Sequence, residues 1–189
     1  MADSIFDIML KSRQISFSNG LIKVMNNKMV LIDSSVLANF ISSITDSKDT
    51  IYKLYYSVKK DFINNTAKSM GTDFKFNFND YFNWLTNLAM LSGWGKFEWH
   101  LLDKDKKEGV IFIENSVIAQ ALKNKTTIPT DHIIRGFIAG GASVSLNENI
   151  DAIEEECIAL GAERCKIIFK PFKNIQKTEK YEEQINFNI

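Results

Sequence analysis

Glu154, Cys157 and Cys165 fall within one short stretch, and the two cysteines are the only ones in the chain. Gly161 lies between them and marks a turn, so the thiols face each other across a tight hairpin with a carboxylate one step upstream. Thiolates and carboxylates are zinc ligands, and a hairpin gathers two sulfurs at little entropic expense. A regular strand would point Glu154 and Cys157 to opposite faces, so a shared ion requires a bulge or twist between them. The fourth ligand must come from elsewhere. Asp131, at the start of a glycine-containing helix, is the candidate, with His132 as its competitor. Two other states fit the same spacing: buried thiols acting as small hydrophobes, and a hairpin disulfide. In a reducing compartment isolated cysteines are more often thiols or thiolate ligands than bridges.

Aromatic side chains are the second resource. Phe74, Phe76, Phe78, Tyr81, Phe82, Trp84, Trp94, Phe97 and Trp99 share one window of the chain. Such a cluster is either ordinary core or the wall of an apolar pocket for a flat ligand. Strand alternation puts Phe97, Trp99 and Leu101 on one face and Glu98 and His100 on the other. Histidine-based catalysis has little material, since His100 and His132 are the only histidines. The chain carries no HExxH helix, Cys-x-x-Cys pair or phosphate loop.

The elements that must position these residues are legible from pattern. Gln14 to Phe17, Leu21 to Met25 and Lys28 to Ile32 read as short strands of an antiparallel meander, joined by Asn19-Gly20 and Asn26-Asn27. Asp33-Ser34-Ser35 starts a helix, and a longer one runs from Asp49 to Met70, with Gly71 as its stop. Asn79-Asp80 opens a third helix through Leu91. The Trp94 to Trp99 stretch then turns at Asp103 to Gly109 and returns as Val110 to Ile113. Ser116 to Leu122 and Asp131 to Ser145 read as helices, the second holding Gly136, Gly140 and Gly141, where close helix packing is expected. Ile150 to Leu160 and Arg164 to Lys170 close the fold as two strands ending at Pro171. The polar tail Phe172 to Ile189 has no clear period and is left as an extension or dimer arm.

Strands, then helices, then hairpins make an α+β domain, an antiparallel sheet packed against a helical layer. With 189 residues, 45% hydrophobic, one domain with a real core is expected. Twenty-three basic residues balance twenty-three acidic ones, so no field draws the chain to nucleic acid, and no apolar run is long enough to insert in a membrane. The acidic N-terminus is unlike a signal peptide, and a cytoplasmic protein is expected.

The stretch from Ile128 to Gly140, followed by Glu154 to Lys166, resembles the closing segment of the 4-vinyl reductase domain family. Gly93-Trp94-Gly95-Lys96-Phe97-Glu98 and Asn115-Ser116 resemble that family's glycine-rich strand start and its Asn-Ser helix start. The resemblance spans residues 29–171, leaving 1–28 as N-terminal strands available for dimer formation and 172–189 as a polar tail. The family includes sensory domains of bacterial activators that detect phenols and proteins tied to bacteriochlorophyll synthesis. Its ligand-binding fold is similar to that of nitric-oxide-sensing and Golgi-transport proteins, among them vesicle-tethering subunits. By this resemblance zinc would be held by Glu154, Cys157 and Cys165, with Asp131 standing where the phenol sensors have a cysteine. Four protein ligands would make that zinc structural. The resemblance also implies a homodimer and a hydrophobic or aromatic ligand near Trp94, Phe97 and Trp99. A sensor or carrier is then expected in preference to an enzyme. The alternatives are a reductase acting on a tetrapyrrole vinyl group and a non-catalytic interaction subunit.

Overall fold

Alternating polarity builds the sheets of this chain, and repeats of three or four residues build its helices. The structure, a computed structural model, describes residues 11–12, 15–24, 27–44, 47–73 and 78–185, with the backbone alone for Asn27 and 65–73. Gln14, Met25, Asn26, Phe74 and Phe76, all assigned from sequence above, lie outside the described residues.

The expected meander is present as β1 (Ile15–Ser18), β2 (Leu21–Val24) and β3 (Asn27–Met29). Asn19 and Gly20 turn β1 into β2 at φ 50° and 74°, the left-handed pair that a tight hairpin demands. β3 stops at Met29, short of the expected Ile32, and leaves Val30, Leu31 and Ile32 exposed. Asp33 then caps α1 (Ser34–Ile44), its Oδ1 accepting the N–H groups of Ser35 at 2.9 Å and Val36 at 3.2 Å.

Helix α2 (Lys48–Asp73) runs through Gly71, where the sequence suggested a stop. A glycine ends a helix where it turns left-handed, as Gly93 does at φ 80° after α3 (Phe78–Leu91), whereas Gly71 stays helical. The hairpin β4 (Lys96–Asp103) and β5 (Glu108–Glu114) turns where expected, with Asp103 Oδ1 accepting the N–H groups of Asp105 and Lys106. One detail of β4 departs from strict alternation. A register shift between Trp99 and Leu101 turns the strand, so Phe97 and Trp99 face the core, Leu102 replaces Leu101 there, and Leu101 is 41% exposed.

Short α4 (Val117–Ala121) is capped by Ser116, and α5 (His132–Leu146) follows. Strands β6 (Ile150–Glu156) and β7 (Cys165–Pro171) complete an antiparallel sheet of order β4-β5-β7-β6. β6 ends earlier than the Leu160 expected from pattern, because Ile158–Leu160 coil into a 3₁₀ turn closed by Gly161 at φ 100°. The tail is not a free extension as far as Ile185. It folds back as α6 (Phe172–Ile175) and α7 (Tyr181–Gln184), burying Ile175, Tyr181, Gln184 and Ile185. Scattered apolar residues separated by polar turns gave no helical period to detect.

One sheet face, carrying Phe97, Ile111, Ile113, Cys165, Ile167 and Phe169, packs on the helices. The opposite face, carrying Val110, Ile153 and Ile168, is covered by the folded-back tail. The glycines of α5 let three helices close on one another, as expected. A Cβ on Gly136 would lie 2.6 Å from the Tyr55 carbonyl oxygen of α2, one on Gly140 2.9 Å from that of Lys59, and one on Gly141 2.5 Å from Leu85 of α3.

β6 is an edge strand, yet its outward backbone groups are paired by side chains. Ser143 Oγ accepts the Ile150 N–H (3.1 Å), and its one proton is shared between the Ala139 carbonyl (2.7 Å) and the Ile150 carbonyl (3.3 Å). Tyr55 Oη accepts the Ala152 N–H (3.1 Å), and Arg135 donates to the Ala152 carbonyl (3.3 Å). The Gln184 amide takes the Glu154 N–H (2.9 Å) and donates to the Glu154 carbonyl (2.8 Å). These pairings account for buried polar residues drawn from α2, α5 and α7.

Candidate functional site

Glu154 is the last inward-facing residue of β6 and is fully buried. Between Glu154 and Glu156 the pairing with β7 slips by a residue, the irregularity that the sequence argument required. The slip brings Cys157, just past the strand, onto the side of the sheet that carries Glu154 and Cys165. Ligand atoms of Glu154, Cys157 and Cys165 lie within 4.8 Å of one another, and all three residues are buried. The turn reinforces this convergence. Ile158 N–H donates to Cys165 Sγ at 3.3 Å, and Thr130 Oγ1 lies 3.6 Å from Cys157 Sγ. Both cysteines are free thiols in the structure, not a disulfide.

Asp131 stands beside this trio without joining its 4.8 Å cluster. It occupies the N-cap position of α5 but makes no side-chain cap there. Its backbone N–H donates to Glu154 Oε2 at 3.0 Å, and its Oδ1 accepts from Ser116 Oγ at 2.7 Å. Asp131 Oδ2 and Glu154 Oε1 are buried without a hydrogen-bond partner. His132, the competing ligand, points elsewhere: its Nδ1 meets Arg135 Nη2 at 3.0 Å. Arginine can only donate, so Nδ1 accepts and the ring is neutral, in keeping with burial that lowers its pKa well below the ordinary value.

Crowding of acids sets the electrostatics. Burial raises Asp131 to about 6 against the Ser116 hydrogen bond, and raises Glu154 well above its ordinary range with help from the Asp131 and Cys157 charges. Hydrogen bonding from Cys165, supported by Thr130, lowers Cys157 to about 5 against the opposing effect of burial, while Cys165 is pushed up. The Glu154 carboxylate and two thiols gathered within 4.8 Å fit a soft-to-borderline dication, and the unpartnered Oδ2 of Asp131 lies in the same buried region as a further oxygen donor. Thr130, Ser116, Arg135 and Gln184 were not anticipated at this site. Ser116 was visible only as a helix start, and the others carried no signal in spacing.

A second feature lies between α3 and the sheet. A small apolar cavity of ≈ 10 Å³ is bounded by Phe82, Leu85 and Ala89 of α3, Phe97 and Trp99 of β4, and Phe137 of α5. Trp99 Nε1 reaches the Phe82 carbonyl at 3.4 Å. Trp94 is partly buried against the core and does not line this cavity.

No family model and no curated protein matches the chain. Among solved structures it is similar to the phenol-responsive sensory domain of the transcription activator PoxR with phenol. That match has a TM-score of 0.75 at 16% identity and covers 98% of this chain and 97% of that one. It is also similar to trafficking protein particle complex subunit 3 from Naegleria fowleri, covalently bound to palmitic acid, with a TM-score of 0.52, 15% identity, and coverage of 73% and 94%. A vinyl-4-reductase family protein from Methanocaldococcus jannaschii matches with a TM-score of 0.50, 16% identity, and coverage of 90% and 97%. At these identities the likeness is one of fold, and the fold is the one that the sequence resemblance implied.

Proposed function

We propose that this chain is a small-molecule-binding domain, a sensor or carrier, that encloses an apolar or aromatic ligand between α3 and the β4–β5 hairpin. The observation that carries the reading is the apolar cavity at that helix–sheet junction, floored by Phe97 and Trp99. Support comes from a fold shared almost end to end with a domain described as phenol-responsive. At ≈ 10 Å³ the cavity has room for about one water, so a ligand must displace side chains such as Phe137 to enter. Trp94 would act as packing behind the cavity.

In this reading Glu154, Cys157 and Cys165 hold a zinc ion, with Asp131, whose Oδ2 is buried without a partner, as the fourth ligand. Bound there, zinc would offset part of the negative charge of the thiolates and carboxylates. These residues would tie the β6–β7 turn to the start of α5, a structural task. The domain works as a cytoplasmic homodimer, to which the exposed Leu31, Val36 and Phe40 on and before α1 contribute apolar surface.

Titration with phenol and naphthalene, followed by tryptophan fluorescence and native mass spectrometry, tests the ligand reading. Saturable binding is expected, lost in a folded Ala89→Phe variant that fills the cavity. The small size of the cavity favours one rival, a non-catalytic interaction subunit, and the absence of saturable binding in the wild type would select it.

A further inference from the structure

Beside the capped edge of β6 opens a cleft of ≈ 590 Å³ that shares no residue with the interior cavity. Its size falls in the range of small-molecule sites. The floor is polar and built. Lys59, 4% exposed, donates from Nζ to Asn149 Oδ1 at 2.8 Å and Asp151 Oδ1 at 2.6 Å. Tyr55 Oη donates to the same Asp151 oxygen at 2.6 Å, which holds the ammonium in one position. An ammonium has three N–H groups, and the third has no partner among the described residues. The neighbouring Lys60 is exposed and forms no ion pair among the described residues. Two cations therefore face the cleft against one carboxylate.

The walls are aromatic. Tyr52 and Tyr56 stack with ring centroids 5.7 Å apart and planes 15° apart, and Tyr181 and Phe172 stand on the side formed by the folded-back tail. Tyrosine presents rigid amphipathic area that loses little entropy on binding a flat ring.

We infer that this cleft is a second ligand site, taking an aromatic carboxylate whose ring lies against the tyrosines and whose carboxylate bridges Lys59 and Lys60. One net positive charge on the lining matches one carboxylate. Binding here depends on neither the interior cavity nor the metal trio.

Isothermal titration with 1-naphthoate and its neutral analogue 1-naphthamide tests the site. Lys60→Glu and Tyr56→Ala alter exposed positions and should leave the fold intact. The expected result is saturable naphthoate binding, weakened about tenfold or more by loss of the charge or the ring contact, for naphthamide and for each variant. Phenol-dependent fluorescence should be unchanged in both variants, which separates this site from the interior one. Three outcomes would overturn the inference: no saturable naphthoate binding by the folded protein, equal affinity in wild type and variants, or variants that change only the oligomeric state, which would assign the cleft to a second copy.

Discussion

Two carboxylate oxygens buried without partners, Glu154 Oε1 and Asp131 Oδ2, are the clearest mark at the residue scale. An unmade buried hydrogen bond costs about 1–3 kcal/mol, and an ion that satisfies both would return that stability. Cys165→Ser is accordingly expected to abolish stoichiometric zinc by elemental analysis. It should also lower the melting temperature by about 5 °C, given the 2–4 °C per kcal/mol usual for chains of this size. An unchanged metal content would remove the hairpin from the argument. Acidity offers a second check. Asp131 is raised to about 6 and Glu154 is raised further above its ordinary value. Acids raised on folding stabilise the metal-free chain below their ordinary pKa, and that stability is lost as pH rises through the folded values. A dication binds the deprotonated ligands and offsets the loss. Chelation should therefore depress the melting temperature clearly at about pH 8 and little at about pH 5; the opposite trend would contradict the assignment.

The C-terminal hairpin and the α5 glycines are the elements most legible in the sequence, and α7 the least. The Glu154/Cys157/Cys165 convergence followed from the hairpin spacing of the cysteines and the family resemblance, and the slip it needs from strand alternation. The glycine-lined helix contact followed from the poor fit of Gly136, Gly140 and Gly141 to a helix interior. Gly136→Ala would place a methyl 2.6 Å from a backbone oxygen and is expected to destabilise by about 1–3 kcal/mol, read from the urea midpoint. The Trp99/Leu101 shift was invisible because a bulge leaves the sequence alternation intact while rotating the strand beneath it. Gln184 was equally silent: a glutamine in a polar tail looks solvated until the chain folds back. Its removal in Gln184→Ala strands the backbone N–H and carbonyl of Glu154, for an expected loss of about 3 kcal/mol. Hydrogen exchange at the Glu154 amide should quicken with it, and unchanged protection would show that water substitutes for the amide.

On the scale of the whole molecule, apolar side chains are distributed unevenly. The four-stranded sheet is covered by helices on one face and by the tail over β6 and β7 on the other, whereas Phe17, Val30, Leu31, Ile32, Val36 and Phe40 are exposed around the N-terminal meander and α1. Among the described residues no helix is long and apolar enough to cross a membrane. Exposed apolar side chains concentrated in one part of the chain favour association. Light scattering is expected to give a dimer mass, and the double variant Leu31→Glu, Phe40→Glu a monomer with an unchanged circular dichroism spectrum. A wild-type monomer would place the apolar surface outside self-association.

The side-chain pairing along β6 also decides how copies of this chain can meet. A strand whose outward amides are already engaged by serine, tyrosine, arginine and glutamine offers nothing for a neighbouring strand to zip onto. Fibre-like stacking and strand donation are closed to that flank, so any growth of the four-stranded sheet across molecules must start from β4.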